Sequence, residues 1–219
     1  MDFLALTQRL HREAKRSTAA PTSVVGATDR NASLFERVSS AWMDIQRERD
    51  WKWMRQVLDK PLTPNVQTYT GAALGATRFG RWRKADHEYS PWLYISGAPN
   101  SLFMLGYWQL DEFRFHYIYR QVGPTIPVAW SYDDFQNLLI GPAPLAAYQL
   151  RIDQWMEPFE LANDTDTPDM PDRFHLMIMW QALMDVARED ATPEIFDKAV
   201  SNYTSMREQL LRDQARLPT

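Results

Sequence analysis

The sequence predicts an α+β fold, in which helices from the two ends of the chain form one bundle and the middle of the chain forms an inserted antiparallel β-sandwich or barrel-like domain. Both ends carry apolar side chains at the three-to-four-residue spacing of helices packed on one side. Residues 61–158 are instead rich in Trp, Tyr and Pro, with short strand-like runs between turn residues. We therefore expect a discontinuous bundle domain, residues 1–60 with 159–219, and a β-rich insert, residues 61–158.

Two helices are predicted before the insert. Asp2 is placed to cap the first, which carries Phe3, Leu6 and Leu10 on one face and ends before Pro21. A polar loop over residues 17–31 follows. The second helix is predicted over residues 32–57 and is stopped by Pro61 and Pro64. Its apolar stripe consists of Leu34, Val38, Ala41, Trp42 and Ile45.

The insert is predicted to contain short strands punctuated by Gly, Pro and Asn. Residues 147–155 alternate most clearly, with Tyr148, Leu150 and Ile152 on one face. A short helix is expected over residues 111–119, where Phe113 and Tyr117 lie four apart. The other predicted strands cover residues 66–70, 78–84, 92–95, 102–105, 128–132 and 137–140.

Two further helices are predicted after the insert. Pro171 opens a helix to Arg188 that is apolar almost all round, so we expect it at the centre of the bundle. Within it, Met177, Trp180 and Met184 are expected to face the stripes of the first two helices. Thr192 is the predicted cap of a last helix that begins at Pro193. Its stripe consists of Phe196, Ala199, Val200, Tyr203, Met206 and Leu210.

Composition narrows the classes of function. The chain of 219 residues has no cysteine, which excludes disulfides and thiolate metal sites. No run approaches the roughly 20 apolar residues of a membrane span, and the apolar run at residues 3–6 is too short for a signal peptide, so we expect a soluble protein made in the cytoplasm. The net charge of −4 gives no general attraction to nucleic acid. Residues 151–190 hold ten acidic and three basic residues, so the acidity is local.

No catalytic, cofactor or metal motif stands out. The sequence has no GxSxG, Walker-type or GxGxxG pattern, and the neighbouring carboxylates at Asp133 and Asp134 point apart in regular structure. We therefore predict no enzyme activity and no cofactor. The four histidines, His11, His87, His116 and His175, form no closely spaced pair. The aspartates at 164, 166, 169 and 172 are distantly similar to a calcium loop but lack its Gly and closing Glu, so a solvated loop that favours the following helix N-terminus is the preferred interpretation.

The segment Arg78–Lys84 interleaves cations with aromatic rings. Such a pattern can neutralise phosphates and stack bases, but a strand with one wet face produces it as well. A DNA-binding module that uses residues 78–84 therefore remains one alternative function. A small enzyme, such as a peptidoglycan hydrolase, is another.

The order of several motifs along nearly the whole chain resembles the tailed-phage head-to-tail adaptor, or connector, family. The motifs are an N-terminal Phe-Leu-x-Leu-x-x-Arg-Leu helix, Ala41-Trp-Met-Asp-Ile-Gln46, Asp50-Trp-Lys-Trp-Met54, Gly141-Pro-Ala-Pro144 and Pro171-Asp-Arg-Phe-His-Leu-Met-Ile-Met-Trp-Gln-Ala-Leu183. The resemblance includes the tail tubular proteins of short-tailed phages and relatives in long-tailed phages.

This resemblance implies a structural virion protein at the neck between capsid portal and tail. It implies a homo-oligomeric ring, commonly twelve-fold, that continues the DNA channel without binding DNA specifically. The resemblance implies no catalytic residues. The implied partners are the portal protein and a downstream tail or nozzle protein, with no membrane. In the family, C-terminal extensions resemble docking elements, so the portal-docking candidates here are Phe196, Tyr203, Met206, Leu210 and Arg212. A last helix packed wholly on its own subunit is the open alternative.

Overall fold

The computed structural model describes residues 1–15, 17, 19–26, 30–83 and 91–215, with helices at both ends of the chain and sheets in the middle. The α+β class is confirmed. In chain order the helices are α1 (Phe3–Glu13), α2 (Arg30–Arg47), α3 (Leu110–Phe113), α4 (His175–Glu189) and α5 (Pro193–Ala215). The strands are β1 (Arg55–Pro61), β2 (Thr68–Tyr69), β3 (Phe79–Trp82), β4 (Trp92–Ile95), β5 (Ala98–Met104), β6 (Gly106–Tyr107), β7 (Ala129–Tyr132), β8 (Leu138–Gly141) and β9 (Tyr148–Met156).

The chain divides into two compact units. One, the helical unit, comprises Met1–Trp53 and Pro158–Thr219, and the other, the β unit, comprises Met54–Glu157. The domain boundaries given above, residues 1–60 with 159–219 and 61–158, stay a prediction. The β unit observed here begins earlier because it includes the strand β1.

The helical unit is built around α4, which packs against α1, α2 and α5. Met177 is fully buried and Trp180 is 7% exposed, as expected for a central helix, whereas Met184 is only half-buried. Inside this core, His175 Nε2 lies 2.9 Å from the carbonyl oxygen of Met170. The buried imidazole of His175 therefore has a hydrogen-bond partner, as buried polar groups generally do.

Hydrogen bonds at the helix ends show the outcome of the predicted caps. Asp2 Oδ1 accepts a hydrogen bond of 2.8 Å from the amide of Ala5, so the predicted cap of α1 is confirmed. The last helix begins at Pro193 as expected. Thr192 occupies the cap position, since its carbonyl accepts from the amide of Phe196 at 3.1 Å, while its hydroxyl donates to the carbonyl of Ala187 at the end of α4, at 3.4 Å.

The prediction that the second helix continues to residue 57 is wrong, because α2 ends at Arg47. The stripe of α2 closes with Ile45, and the polar run that follows gives a further helical turn nothing to bury. Trp51 is then buried, with its Nε1 donating to the carbonyl of Ile45 at 2.5 Å. A 3-10 turn at Lys52–Met54 leads into β1, which pairs with β9 from Arg55↔Trp155 to Pro61↔Gln149.

The β unit contains two open sheets. The first has the order β1-β9-β4-β5, with β3 also paired to β9, and the second has the order β2-β8-β7-β6. The pairing of β6 with β7 is parallel, and the other described pairs are antiparallel. One core cluster joins Leu58, Leu93 and Leu150 of the first sheet to Trp130 and Ile140 of the second. The insert is therefore a sandwich rather than a closed barrel.

Most predicted strands exist with shifted ends. The strand at 92–95 has the predicted bounds, while the one at 66–70 shrinks to Thr68–Tyr69 and β5 begins four residues before its predicted start at 102. The prediction missed β6. The helix expected at 111–119 consists of α3 followed by a π-helix over Arg114–Tyr119.

We expect Gly141→Ala to destabilise the β unit by about 1–3 kcal/mol, as an overpacked core substitution does. A Cβ at Gly141 would lie 2.7 Å from Cγ of Tyr117 and 2.8 Å from the ring of Phe113. Both rings belong to the α3 and π-helix segment, which would have to move. The measurement is urea denaturation.

Gly123→Ala is the matched control, because a Cβ there meets nothing within 4 Å. It should change the free energy of unfolding by a few tenths of a kcal/mol. If both variants change the free energy of unfolding by the same amount, the close contact at Gly141 is contradicted.

Candidate docking surface

The predicted docking residues lie on α5, one face of which packs on α4. Leu210 is fully buried in the bundle, so a partner cannot reach it while the bundle is folded. Phe196, Tyr203 and Met206 are half-buried, and Arg212 is exposed. These four side chains form the accessible part of the predicted surface.

Ion pairs and hydrogen bonds tie α5 to its own bundle along its length. Lys198 Nζ lies 2.8 Å from Glu13 of α1, and the guanidinium of Arg207 pairs with Glu48. Farther along, Asp213 pairs with Arg173, and Gln214 Oε1 accepts a bond of 3.0 Å from the amide of Lys52. The hydrogen bond from Lys198 holds the pKa of Glu13 below its ordinary value. The outer face of α5 is therefore presented from a fixed helix.

Tyr203 borders a shallow hollow of about 370 Å³ between α2 and α5. Its lining residues are Asp44, Arg47, Glu48, Gln181, Tyr203 and Arg207. Burial, and then the nearby charge of Glu48, raise the pKa of the Tyr203 hydroxyl, and the hydrogen bond to Glu48 raises the pKa of Arg207. The hollow mixes one aromatic ring with paired charges, a composition that suits the polar rim of a protein interface.

Two aspartates of the acidic loop hold the start of α1 and the loop before α2, while Asp172 lies 3.4 Å from His175 Nε2 at the start of α4. The backbone carbonyls of Asp166 and Asp164 accept hydrogen bonds from the amides of Phe3 and Leu4, at 2.8 and 3.2 Å, which satisfies the first turn of α1. The carboxylate of Asp164 accepts from the amide of Val24 at 2.6 Å. Within the described residues, no group of three or more metal-ligating side chains converges.

Asp166→Ala should lower the free energy of unfolding by about 1–3 kcal/mol at neutral pH, because two backbone amides lose a charged acceptor. The carboxylate accepts from the amides of Ala162 and Asn163, both at 2.8 Å. The amide of Asn163, followed by that of Ala162, lowers the pKa of Asp166. Since the folded-state pKa lies below the ordinary value, this stabilisation is present at neutral pH and is lost as pH falls through the folded-state pKa.

Denaturation of the wild type and the variant over a range of acid pH measures this effect. The difference between them should shrink toward low pH, while Asp134→Ala, at an exposed turn residue, should differ little from wild type throughout. A difference that does not change with pH would exclude the carboxylate as its source.

The basic segment is largely used inside the β unit. Trp82 is buried, with its Nε1 donating to the carbonyl of Gln136 at 2.8 Å, and Phe79 packs against it at a centroid distance of 4.6 Å. Arg83 lies 3.2 Å from Asp153. Lys84 lies outside the described residues. Both rings of residues 78–83 face the core, which favours the interpretation of a paired strand over a base-stacking surface.

The three histidines that the structure describes do not share a site. His11 and His175 are buried in the helical unit, and His116 is half-buried in the β unit beside Trp108 at a centroid distance of 5.0 Å. His87 lies outside the described residues. The three described rings therefore belong to packing environments in two different units.

The sequence model of the SU10 adaptor protein family matches residues 1–218, which is nearly the whole chain. The chain belongs to the SU10 adaptor protein family. This confirms the resemblance to phage head-to-tail adaptors that the sequence motifs predicted. Among curated proteins no match was found.

Membership makes the SU10-family adaptor a structural phage protein and implies contacts with portal and tail proteins at the virion neck. A structural family is in keeping with the expectation that the adaptor is not an enzyme. No described helix has the length and apolar character needed to cross a membrane.

Sequence reasoning missed one surface of the adaptor. Large apolar side chains are exposed on the π-helix and the loop after it, including Tyr119 at 70%. The signal was present, because the chain has no acidic residue from Phe113 to Tyr132 but includes Arg114 and Arg120. Local periodicity did not distinguish this surface from a core helix.

Proposed function

We propose that this adaptor forms a homo-oligomeric ring, twelve-fold, between the portal and the next tail or nozzle protein, and that the ring continues the DNA channel. The observation that carries the proposal is the family match over residues 1–218. The match extends over both the helical unit and the β unit, so it favours adaptor function for the two together.

The structure supports a ring subunit in physical terms. A ring requires a heterologous contact, in which each subunit offers two different surfaces to its two neighbours. The described chain offers exposed apolar side chains on the β unit and, on the helical unit, an open groove along α2 with an apolar floor. Aromatic and Met side chains of this kind are enriched in protein interfaces.

The charge distribution also supports a conduit. Residues 151–190 carry ten acidic and three basic side chains. An acidic wall repels phosphates, so DNA would pass without being retained. We further propose that the α5 residues Phe196, Tyr203, Met206 and Arg212 contact the portal.

The test is a mixing experiment with assembled portal. Alone, the subunit is expected to be monomeric, because adaptor subunits often await a template, and with portal it should co-sediment at a fixed ratio. It should also show little affinity for free DNA at any salt concentration. A subunit that stays dispersed beside assembled portal and cleaves a cell-wall or nucleic-acid substrate would contradict the proposal.

A further inference from the structure

The helical unit contains a groove of about 440 Å³ along α2, here called the α2 groove. Its floor is apolar, because Phe3, Val24, Phe35 and Leu161 line it and each is less than a tenth exposed. An open groove with such a floor is suited to an apolar side chain from another molecule.

The rim of the α2 groove is acidic. Among the described side chains that line it, Glu36, Asp44 and Glu160 are acidic and Arg47 is the single cation. Glu36 and Glu160 are exposed, and neither has an ion-pair partner among the side chains that the structure describes. The groove therefore combines an apolar floor with an excess of negative charge and favours a ligand that is both apolar and cationic.

The β unit presents a surface of that kind, here called the π-helix ridge. Its exposed apolar members are Phe115 (51%), Ile118 (38%), Tyr119 (70%) and Val122 (37%). Arg120 lies among them, with its guanidinium carbon 4.7 Å from the centre of the Phe115 ring. Arg120 has no acidic partner among the described side chains, so its charge is available to another molecule.

The ridge is held in place from beneath. Phe113 is fully buried and Tyr117 packs on it at a centroid distance of 5.1 Å, while both rings press on the backbone at Gly141. The rings of Trp108 and Tyr117 form an edge contact with a centroid distance of 5.8 Å. Since this buried row fixes the segment, the exposed row loses little conformational freedom when it binds.

We propose that the π-helix ridge of one adaptor binds in the α2 groove of the neighbouring copy, so that these two surfaces form the subunit contact of the ring. The inference rests on the proposed ring. Its basis is charge complementarity, since an apolar ridge with free arginine meets an apolar groove with an acidic rim. The two surfaces differ and belong to the same chain, so each copy uses its ridge toward one neighbour and its groove toward the other, as a heterologous contact requires.

The absence of cysteine allows a direct test by cross-linking. Ser40→Cys places a thiol on the exposed rim of the groove, and Gln121→Cys places one at the exposed end of the ridge without removing its aromatic side chains. Rings are assembled on portal and treated with a short bis-maleimide. The double variant should give a ladder of covalent multimers, and a mixture of the two single variants should give dimers and nothing larger.

Each single variant alone should stay monomeric after treatment. Dimers of the Gln121→Cys variant, which would mean ridge against ridge, would overturn the proposal. Rings that form normally but give no ladder would overturn this contact and leave the ring intact, whereas a wild-type protein that forms no ring would refute the proposed function itself.

A charge variant gives an independent readout. Tyr119→Asp places a carboxylate on the ridge, facing the acidic rim, and should abolish ring formation on portal. Phe135→Asp, which changes an aromatic residue that is 86% exposed outside the ridge, should assemble as wild type does. Normal rings from Tyr119→Asp, with its fold checked by circular dichroism, would contradict the proposal.

Discussion

Trp180→Ala should lower the free energy of unfolding of the adaptor by about 3–5 kcal/mol, as a large-to-small change in a packed core does. Trp180 is 7% exposed on α4, the helix on which α1, α2 and α5 pack. Lys198 Nζ of α5 lies 5.5 Å from the centre of the ring, so the substitution also removes a cation–π contact. Chemical denaturation followed by circular dichroism measures the loss.

Phe135→Ala is the control for Trp180→Ala. Phe135 is a large aromatic residue that is 86% exposed, and its removal should change the free energy of unfolding by less than about 0.5 kcal/mol. If Trp180→Ala costs well under 1 kcal/mol, α4 is not the centre of the bundle and the packing described here is wrong.

Ending the chain after Met206 should leave a folded adaptor that no longer attaches to portal. The truncation removes the last turns of α5, including the exposed Arg212, while α4 keeps α1, α2 and the first half of α5 as partners. It also removes the buried Leu210 and the Arg207–Glu48 pair, so the free energy of unfolding should fall by about 2–4 kcal/mol. Co-sedimentation with assembled portal measures attachment.

Two full-length variants separate docking from stability. Leu210→Ala should lower stability but still attach to portal, because the side chain is buried and offers nothing to a partner. Arg212→Glu should weaken attachment with little effect on stability, because Arg212 is exposed. If the truncated protein still completes particles, the docking role moves to the β unit or to the loop before α2.

Features set by local sequence were predictable. The Asp2 cap, the start of α5 at Pro193 and the largely apolar character of the central helix α4 follow from neighbouring residues within one or two helical turns. The strand β1 was not, because its stabilising partner is β9, about 90 residues farther along the chain. Arg55 and Gln56 have no β-branched or aromatic side chain to mark a strand, so the pairing with β9 decides their conformation.

Long-range packing also limited the prediction of the candidate docking residues. The sequence places Tyr203, Met206 and Leu210 on one stripe of α5, yet Leu210 is buried and the other two are half-buried. Which members of a stripe are covered depends on the helices packed beside it, and those contacts are long-range. Phe113 of α3 is buried and Phe115 of the π-helix is exposed, as expected for two positions about 200° apart on a helix. The exposed residues Phe115, Ile118, Tyr119 and Val122 have the spacing of an apolar helix stripe themselves, so periodicity does not show which row faces the sheet.

The proposed ring can be seen directly by electron microscopy of the adaptor mixed with assembled portal. We expect a continuous ring of adaptor subunits on the portal, with one subunit per portal protomer and a central channel aligned with that of the portal. Isolated or irregularly bound subunits, or an adaptor that leaves the portal bare, would contradict it.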